Sequence, residues 1–230
     1  MNKFFDEFDS ILVLDTETSG LDFKDDRIIE LAVIRYVPCE NGGKIDFEMD
    51  DFIKLPDGRV LDEKIIELTG ITDKMLEEQG ISDTECAEKF TSIFTEKPLI
   101  VAYNAQFDLN YLFYFLHRAG RADVLKRAKM LDALTVYKDR HEYPHRLENA
   151  IEIYNLQDKV VNSHRAIDDT KALLEVMFEM AKEKDDLDKY INLFGYNPKY
   201  GVSGAKISSI KYLPQYYRHE KLLYEMDKMN

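Results

Sequence analysis

The sequence predicts an α/β fold in which a β-meander leads into alternating helices and strands, and three observations predict it. Residues 11–14, 28–37 and 44–55 are successive strand-like segments separated by glycine or charged turn residues. Residues 98–102 return to a short, continuous apolar run. Around that run, residues 62–68, 82–94, 108–119, 146–154 and 166–181 carry apolar side chains at helical spacing.

Taken in order, Ile11, Leu12, Val13 and Leu14 form an unbroken apolar stretch, the pattern of a strand buried on both faces. The next two segments complete the meander. Two helical stretches precede the buried strand at 98–102, and the helix beginning at Asp108 stops at Gly120. The last long helix runs into the charged stretch 182–188, which marks the edge of a unit covering residues 1–185. Residues 186–230 are punctuated by Gly195, Pro198, Gly201, Gly204 and Pro214, are rich in Tyr and Lys, and show no sustained period. They read as an extension by composition alone. No internal repeat is visible.

A chain of 230 residues with 45% hydrophobic content closes one sizeable core. No apolar run reaches membrane-spanning length, and the first ten residues mix Phe with acids, unlike an export signal. Cys39 and Cys86 stand far apart with no metal-ligand spacing, so neither a zinc site nor a disulfide framework is expected, and a cytoplasmic setting fits. The net charge of −13 argues against a uniformly basic nucleic-acid coat. Positive charge concentrates in Arg118, Arg121, Lys126, Arg127, Lys129, Lys138, Arg140 and Arg146, a candidate basic flank beside an acidic site.

Four carboxylates and one histidine stand out. Asp15 and Glu17 lie two apart at the end of the first strand, so their side chains share a face and repel unless a cation lies between them. An isolated Asp-x-Glu is equally the pattern of a solvated strand end before the Ser19-Gly20 turn. Asp108 shares its helical stripe with Leu112, Phe115, Leu116 and Ala119, which aims it inward; a helix cap is the competing reading. Adjacent Asp168 and Asp169 are separated by the same test. Asp169 aligns with Ala166, Leu173, Val176 and Met180, whereas Asp168 aligns with Lys171, Glu175, Glu179 and Lys182. An inward ionised carboxylate needs a metal or a hydrogen-bond network, so Asp169 is the functional candidate and Asp168 the surface one. His164 precedes Asp169 by five residues, and on one continuous helix the two would point well over a quarter-turn apart. Placed in a loop ahead of the helix, His164 could swing over the site. His117, His141, His145 and His219 have no comparable company.

These residues fall in Asp15-Thr16-Glu17-Thr18-Ser19-Gly20-Leu21, Asn104-Ala105-Gln106-Phe107-Asp108 and His164-Arg165-Ala166-Ile167-Asp168-Asp169. The three segments, in this order, resemble the exonuclease motifs of the DEDDh (DnaQ-like) superfamily. Residues 27–32 and 67–73 extend the likeness toward the proofreading exonuclease domain of Gram-positive replicative DNA polymerase III, over about residues 8–182. Tyr103 departs from the His many relatives carry there, and Asp132-Ala133-Leu134 from a usual Asp-Thr-Leu. The resemblance implies a ribonuclease-H-like mixed five-stranded sheet flanked by helices. It further implies 3'-5' exonuclease activity on DNA or RNA ends, with two Mg2+ or Mn2+ ions held by Asp15, Glu17, Asp108 and Asp169 and with His164 as general base. By the same likeness Leu21 and Phe107 would meet the terminal bases, and Thr18 and Asn104 would fix the 3' end. Proofreading would call for a polymerase partner in trans. A catalytically silent nucleic-acid-binding or polymerase-associated module is the alternative.

Overall fold

The computed structural model describes residues 1–40, 42–161, 165–201, 207, 209–215 and 221–228. After a 3-10 helix at Asn2–Asp6, β1 (Ser10–Thr18), β2 (Ile28–Cys39) and β3 (Gly42–Phe52) form the meander. Three short helices follow, α1 (Glu63–Thr69), α2 (Asp73–Gln79) and α3 (Asp83–Ser92). Then come β4 (Pro98–Ala102), α4 (Ala105–Arg118), β5 (Lys129–Asp132), α5 (Ala133–Arg140), α6 (Leu147–Ile153) and the long α7 (Ala166–Glu183). Beyond α7 lie β6 (Leu193–Tyr196), β7 (Lys211–Pro214) and α8 (Leu223–Asp227).

Among the described residues, five strands form one mixed sheet in the order β3-β2-β1-β4-β5, and β6 and β7 form a second, small one. The meander is antiparallel, whereas β4 runs parallel to β1 and β5 parallel to β4. This is the mixed sheet expected from the sequence. The centre of the order explains why the first apolar run is unbroken: both faces of β1 are covered, and Ile11 through Leu14 are fully buried. Alternation sends Ile11 and Val13 into the core under α7, and Leu12 and Leu14 into the core under α4. Each such side chain contributes roughly 1.5–3 kcal/mol by leaving water.

The chain after α7 is packed into both cores. Leu187, Tyr190, Leu193 and Leu223 join the α7 side, while Phe194 and Ile207 join the α4 side. Asp139 of α5 fastens it, accepting from the Tyr190 hydroxyl (2.9 Å), the Leu223 N–H (2.6 Å) and the Gln215 amide (2.6 Å). Its elements are too short to show a period, which is why composition alone marks it as an extension. The basic stretch is also quieter than expected. Arg118, Arg121, Lys126, Arg140 and Arg146 each pair with a carboxylate, on Asp83, Glu88, Asp123, Asp186 and Glu148 respectively. No helix among the described residues is long and apolar enough to cross a membrane.

Candidate active site

The site forms at the C-terminal end of β1, where alternation splits neighbouring side chains between two helices. Asp15 and Glu17 project to the α7 side, as Ile11 and Val13 do, while Thr16 projects toward α4. Asp169, one turn into α7, completes a cluster: Asp15, Glu17 and Asp169 each offer an oxygen, and the three oxygens lie within 4.8 Å of one another. Asp168, one position earlier, instead lines a cleft with Lys171, Glu175, Lys159 and Val161. Of the two aspartates, Asp169 on the stripe of Ala166, Leu173 and Val176 is the one that joins the cluster.

Asp108 comes to the same place from the opposite face. It lies inside α4 rather than opening it, is 2% exposed, and accepts the Thr16 hydroxyl at 2.7 Å. The helix starts earlier than the sequence reading because its cap comes from elsewhere. Asn104 sits in the left-handed region (φ 72°), and buried Asp132 of β5 accepts the N–H groups of Asn104 and Ala105, both at 3.0 Å. A cap role for Asp108 is thereby excluded. Its other oxygen, Oδ2, is buried and accepts no hydrogen bond from any described residue. A buried carboxylate oxygen in that position has the chemistry to ligate a cation.

The electrostatics say the same. Burial first, then the charges of Asp108, Glu17 and Asp169, holds the Asp15 carboxyl well above the usual carboxylate range. Burial and then Glu30 push Glu17 up to about 8. Burial pushes Asp108 up to about 7, against the opposing hydrogen bond from Thr16. So many crowded acids fit oxygen ligation of divalent cations, which would neutralise them. Asp108 lies outside the set of three whose oxygens fall within 4.8 Å of one another.

Several supporting residues escaped the sequence reading. Glu30 stands opposite Glu17 in the β1–β2 register and is 0% exposed. Its Oε1 accepts from Arg165 Nε (2.9 Å) and Nη2 (2.6 Å), and its Oε2 accepts the Ala166 N–H (3.1 Å). This fork pins the start of α7 to the strand beside Glu17, and thereby sets where Asp169 falls. A lone carboxylate inside the apolar run 28–34 was the available signal. Replacing Glu30 with Gln is expected to destabilise the fold by about 2 kcal/mol, since Arg165 loses its buried partner but keeps some solvent. Turnover should fall about ten- to a hundred-fold, as for other residues that orient ligands. Denaturant unfolding and steady-state rates check the two effects.

The expected substrate contacts are placed as follows. Thr18 is buried and its hydroxyl donates to the Gly20 carbonyl (2.8 Å), which also accepts from the Tyr111 hydroxyl (2.7 Å). The turn is tight, because a Cβ on Gly20 would stand 2.2 Å from an Asp26 carboxylate oxygen. It leaves Leu21 64% exposed, so core packing does not account for that side chain. Phe107 is half-buried with its ring 4.9 Å from Tyr111. His164 lies outside the described residues. Tyr103 donates its hydroxyl to the His145 carbonyl (3.0 Å) and packs against the α7-side core.

Fold and site together define a class: α/β proteins with an acidic centre, suited to divalent cations, at the end of the central strand of a mixed sheet. Within it, this chain belongs to the exonuclease family, whose model, described as Exonuclease, matches residues 12–177. Among curated proteins, DNA polymerase III PolC-type of Clostridium perfringens is 32% identical over 183 residues, or 78% of this chain. The PolC-type enzyme of Thermotoga maritima is 31% identical over 201 residues, also 78% of this chain. The chain spans only 12% and 13% of those two relatives. Among solved structures, E. coli Exonuclease I in complex with a dA16 oligonucleotide superimposes with a TM-score of 0.63 at 22% identity, covering 79% of this chain and 42% of that one. Cell-death related nuclease 4 gives 0.63 at 18% identity, covering 77% and 65%. These likenesses show a shared fold.

Proposed function

We propose that the chain is a metal-dependent 3'-5' exonuclease that hydrolyses the terminal phosphodiester bond of single-stranded DNA or RNA and releases nucleoside 5'-monophosphates. The observation that carries this reading is the meeting of Asp15, Glu17 and Asp169 within 4.8 Å, beside a buried Asp108 oxygen that lacks a hydrogen-bond donor among the described residues. In this reading residues 1–185 carry the catalytic unit and 186–230 form an extension packed on it.

Asp15, Glu17, Asp108 and Asp169 would hold two Mg2+ or Mn2+ ions. Bound there, the ions would supply a nucleophilic water and neutralise charge on the departing 3' oxygen. His164, assigned on sequence alone, would take the proton from that water as a neutral imidazole. Exposed Leu21 and half-buried Phe107 offer apolar surface to the terminal bases, and the backbone around Thr18 and Asn104 would fix the 3' end. Crystal structures of E. coli Exonuclease I with oligonucleotides support single-stranded DNA as the substrate class. The PolC-type relatives support a role in DNA replication or repair beside a polymerase partner. The two free thiols, exposed Cys39 and buried Cys86, suit the reducing cytoplasm.

Digestion of 5'-labelled single-stranded DNA and RNA in parallel tests the proposal. A ladder shortening from the 3' end, abolished by chelator, is the expected result. Internal cuts, or a ladder indifferent to chelator, would refute it.

A further inference from the structure

We propose that the segment after α7 completes the substrate cleft, with Tyr200 providing a stacking platform for the base next to the one that meets Phe107, and Lys199 a contact for the adjoining phosphate. This rests on the exonuclease reading and extends it to a part of the chain beyond the matched family region of residues 12–177.

Two buried amides in α4 are the first observation. Gln106 is 1% exposed and Asn110 0%, unusual residues for a helix face packed in a core. They stand one turn apart on one side of α4; Gln106 spends its side-chain hydrogen bonds on the extension, while Asn110 divides its amide between the Gln106 carbonyl (2.7 Å) and the extension. Gln106 Nε2 donates to the carbonyls of Asn197 (2.9 Å) and Gly201 (2.5 Å), and Gln106 Oε1 accepts the Asn197 N–H (2.8 Å). Asn110 Nδ2 donates to the Tyr200 carbonyl (3.1 Å). Gly201, at φ +63°, takes a backbone conformation that an L side chain would strain. Residues 197–201 are thus held as a shaped loop against the helix that carries Asp108.

The second observation is where that loop puts its aromatic ring. Tyr200 meets Phe107 edge-on at 5.4 Å, Phe107 meets Tyr111 at 4.9 Å, and Tyr111 meets Phe23 at 6.4 Å. A continuous row of rings therefore runs from the turn after β1, past the residue adjoining Asp108, to the extension. Tyr200 remains partly exposed at its end, and the exposed Lys199 holds its ammonium 5.5 Å from the Tyr200 ring centre. Rings that accept bases, beside a cation that accepts a phosphate, are the parts of a sequence-tolerant single-strand site. In a chain of net charge −13, a locally placed cation matters more than the overall balance.

Binding and turnover on the full chain separate this inference from the reading beneath it. Binding is measured by anisotropy with a 5'-fluorescein-labelled oligothymidylate carrying hydrolysis-resistant phosphorothioate linkages, in manganese, for wild type, Tyr200→Ala, Tyr200→Phe and Lys199→Ala. Tyr200→Ala is expected to weaken binding about tenfold, and Tyr200→Phe to restore it, because the ring face is what stacks. Lys199→Ala should lower the salt slope of log Kd by about one. On an ordinary oligothymidylate, Tyr200→Ala should raise KM with kcat kept within about twofold, the pattern of lost ground-state binding. Unchanged binding in Tyr200→Ala overturns the platform. So does weakened binding that comes with loss of the manganese-induced gain in Tm, since the ring would then be supporting the acidic centre. A wild type that binds the oligomer but never hydrolyses it overturns the exonuclease reading and leaves the platform to stand on the binding data.

Discussion

Replacing Asp15 with Asn is expected to cut hydrolysis by at least about a thousand-fold, on the order of 4 kcal/mol in barrier, while making the metal-free protein more stable. The two effects come from one cause. Asp15 is held well above the usual carboxylate range, first by burial and then by the charges of Asp108, Glu17, Asp169 and Glu30. In the metal-free protein that crowding is a cost, and removing the charge while keeping the shape relieves it. In the loaded enzyme the same charge is part of what holds the ions, so its loss removes chemistry. Digestion of labelled oligonucleotide reads the first effect, and thermal melts in chelator and in manganese read the second. The variant should melt a few degrees above wild type in chelator and gain less on adding manganese. A variant that melts lower than wild type in chelator would show that Asp15 is held by partners that favour its charge, contrary to the geometry described.

What made this site legible was periodicity. Asp15 and Glu17 share a strand face because they are two apart, and Asp169 differs from Asp168 because only one of them lies on the stripe of Ala166, Leu173 and Val176. The same logic found β1 to β4 and the long helices. It failed where long-range polar contacts decide the structure. Asp132 caps α4 from a neighbouring strand, so the helix begins at Ala105 with no local cap in the sequence, and the reading started it at Asp108. Strand β5 itself has only four residues, too few to show alternation beside its charged flanks. Gln106 and Asn110 look like interruptions of an apolar helix until the chain some ninety residues later supplies their partners. Glu30 and Arg165 are likewise meaningful only as a pair, 135 residues apart. The packing of the extension, fixed by Asp139 and by the two α4 amides, has this character throughout.

The metal-free protein is expected to lose stability as pH rises from about 5 to about 8, the reverse of ordinary acid denaturation. Glu17 is raised to about 8 and Asp108 to about 7 in the fold, from unfolded values near 4, and Asp15 is raised as well. With folded values above unfolded ones, the folded state binds more protons throughout this window, so unfolding free energy falls with increasing pH. The stabilising share is complete below pH 4 and disappears as pH passes the folded values. Glu17 and Asp108 titrating together should amount to on the order of 6 kcal/mol between pH 5 and 8, or about 18 °C in Tm for a chain of this size. Manganese should flatten the profile by replacing protons with cations, and its binding at pH 7 should release protons that calorimetry in buffers of different ionisation enthalpy can count. The Asp15→Asn variant should show a shallower slope in chelator, because one of the crowded charges is gone. A metal-free melting profile that instead rises from pH 5 to 8 would mean these carboxylates are ionised at little cost in the fold, and the case for a cation-holding centre would lose its electrostatic basis.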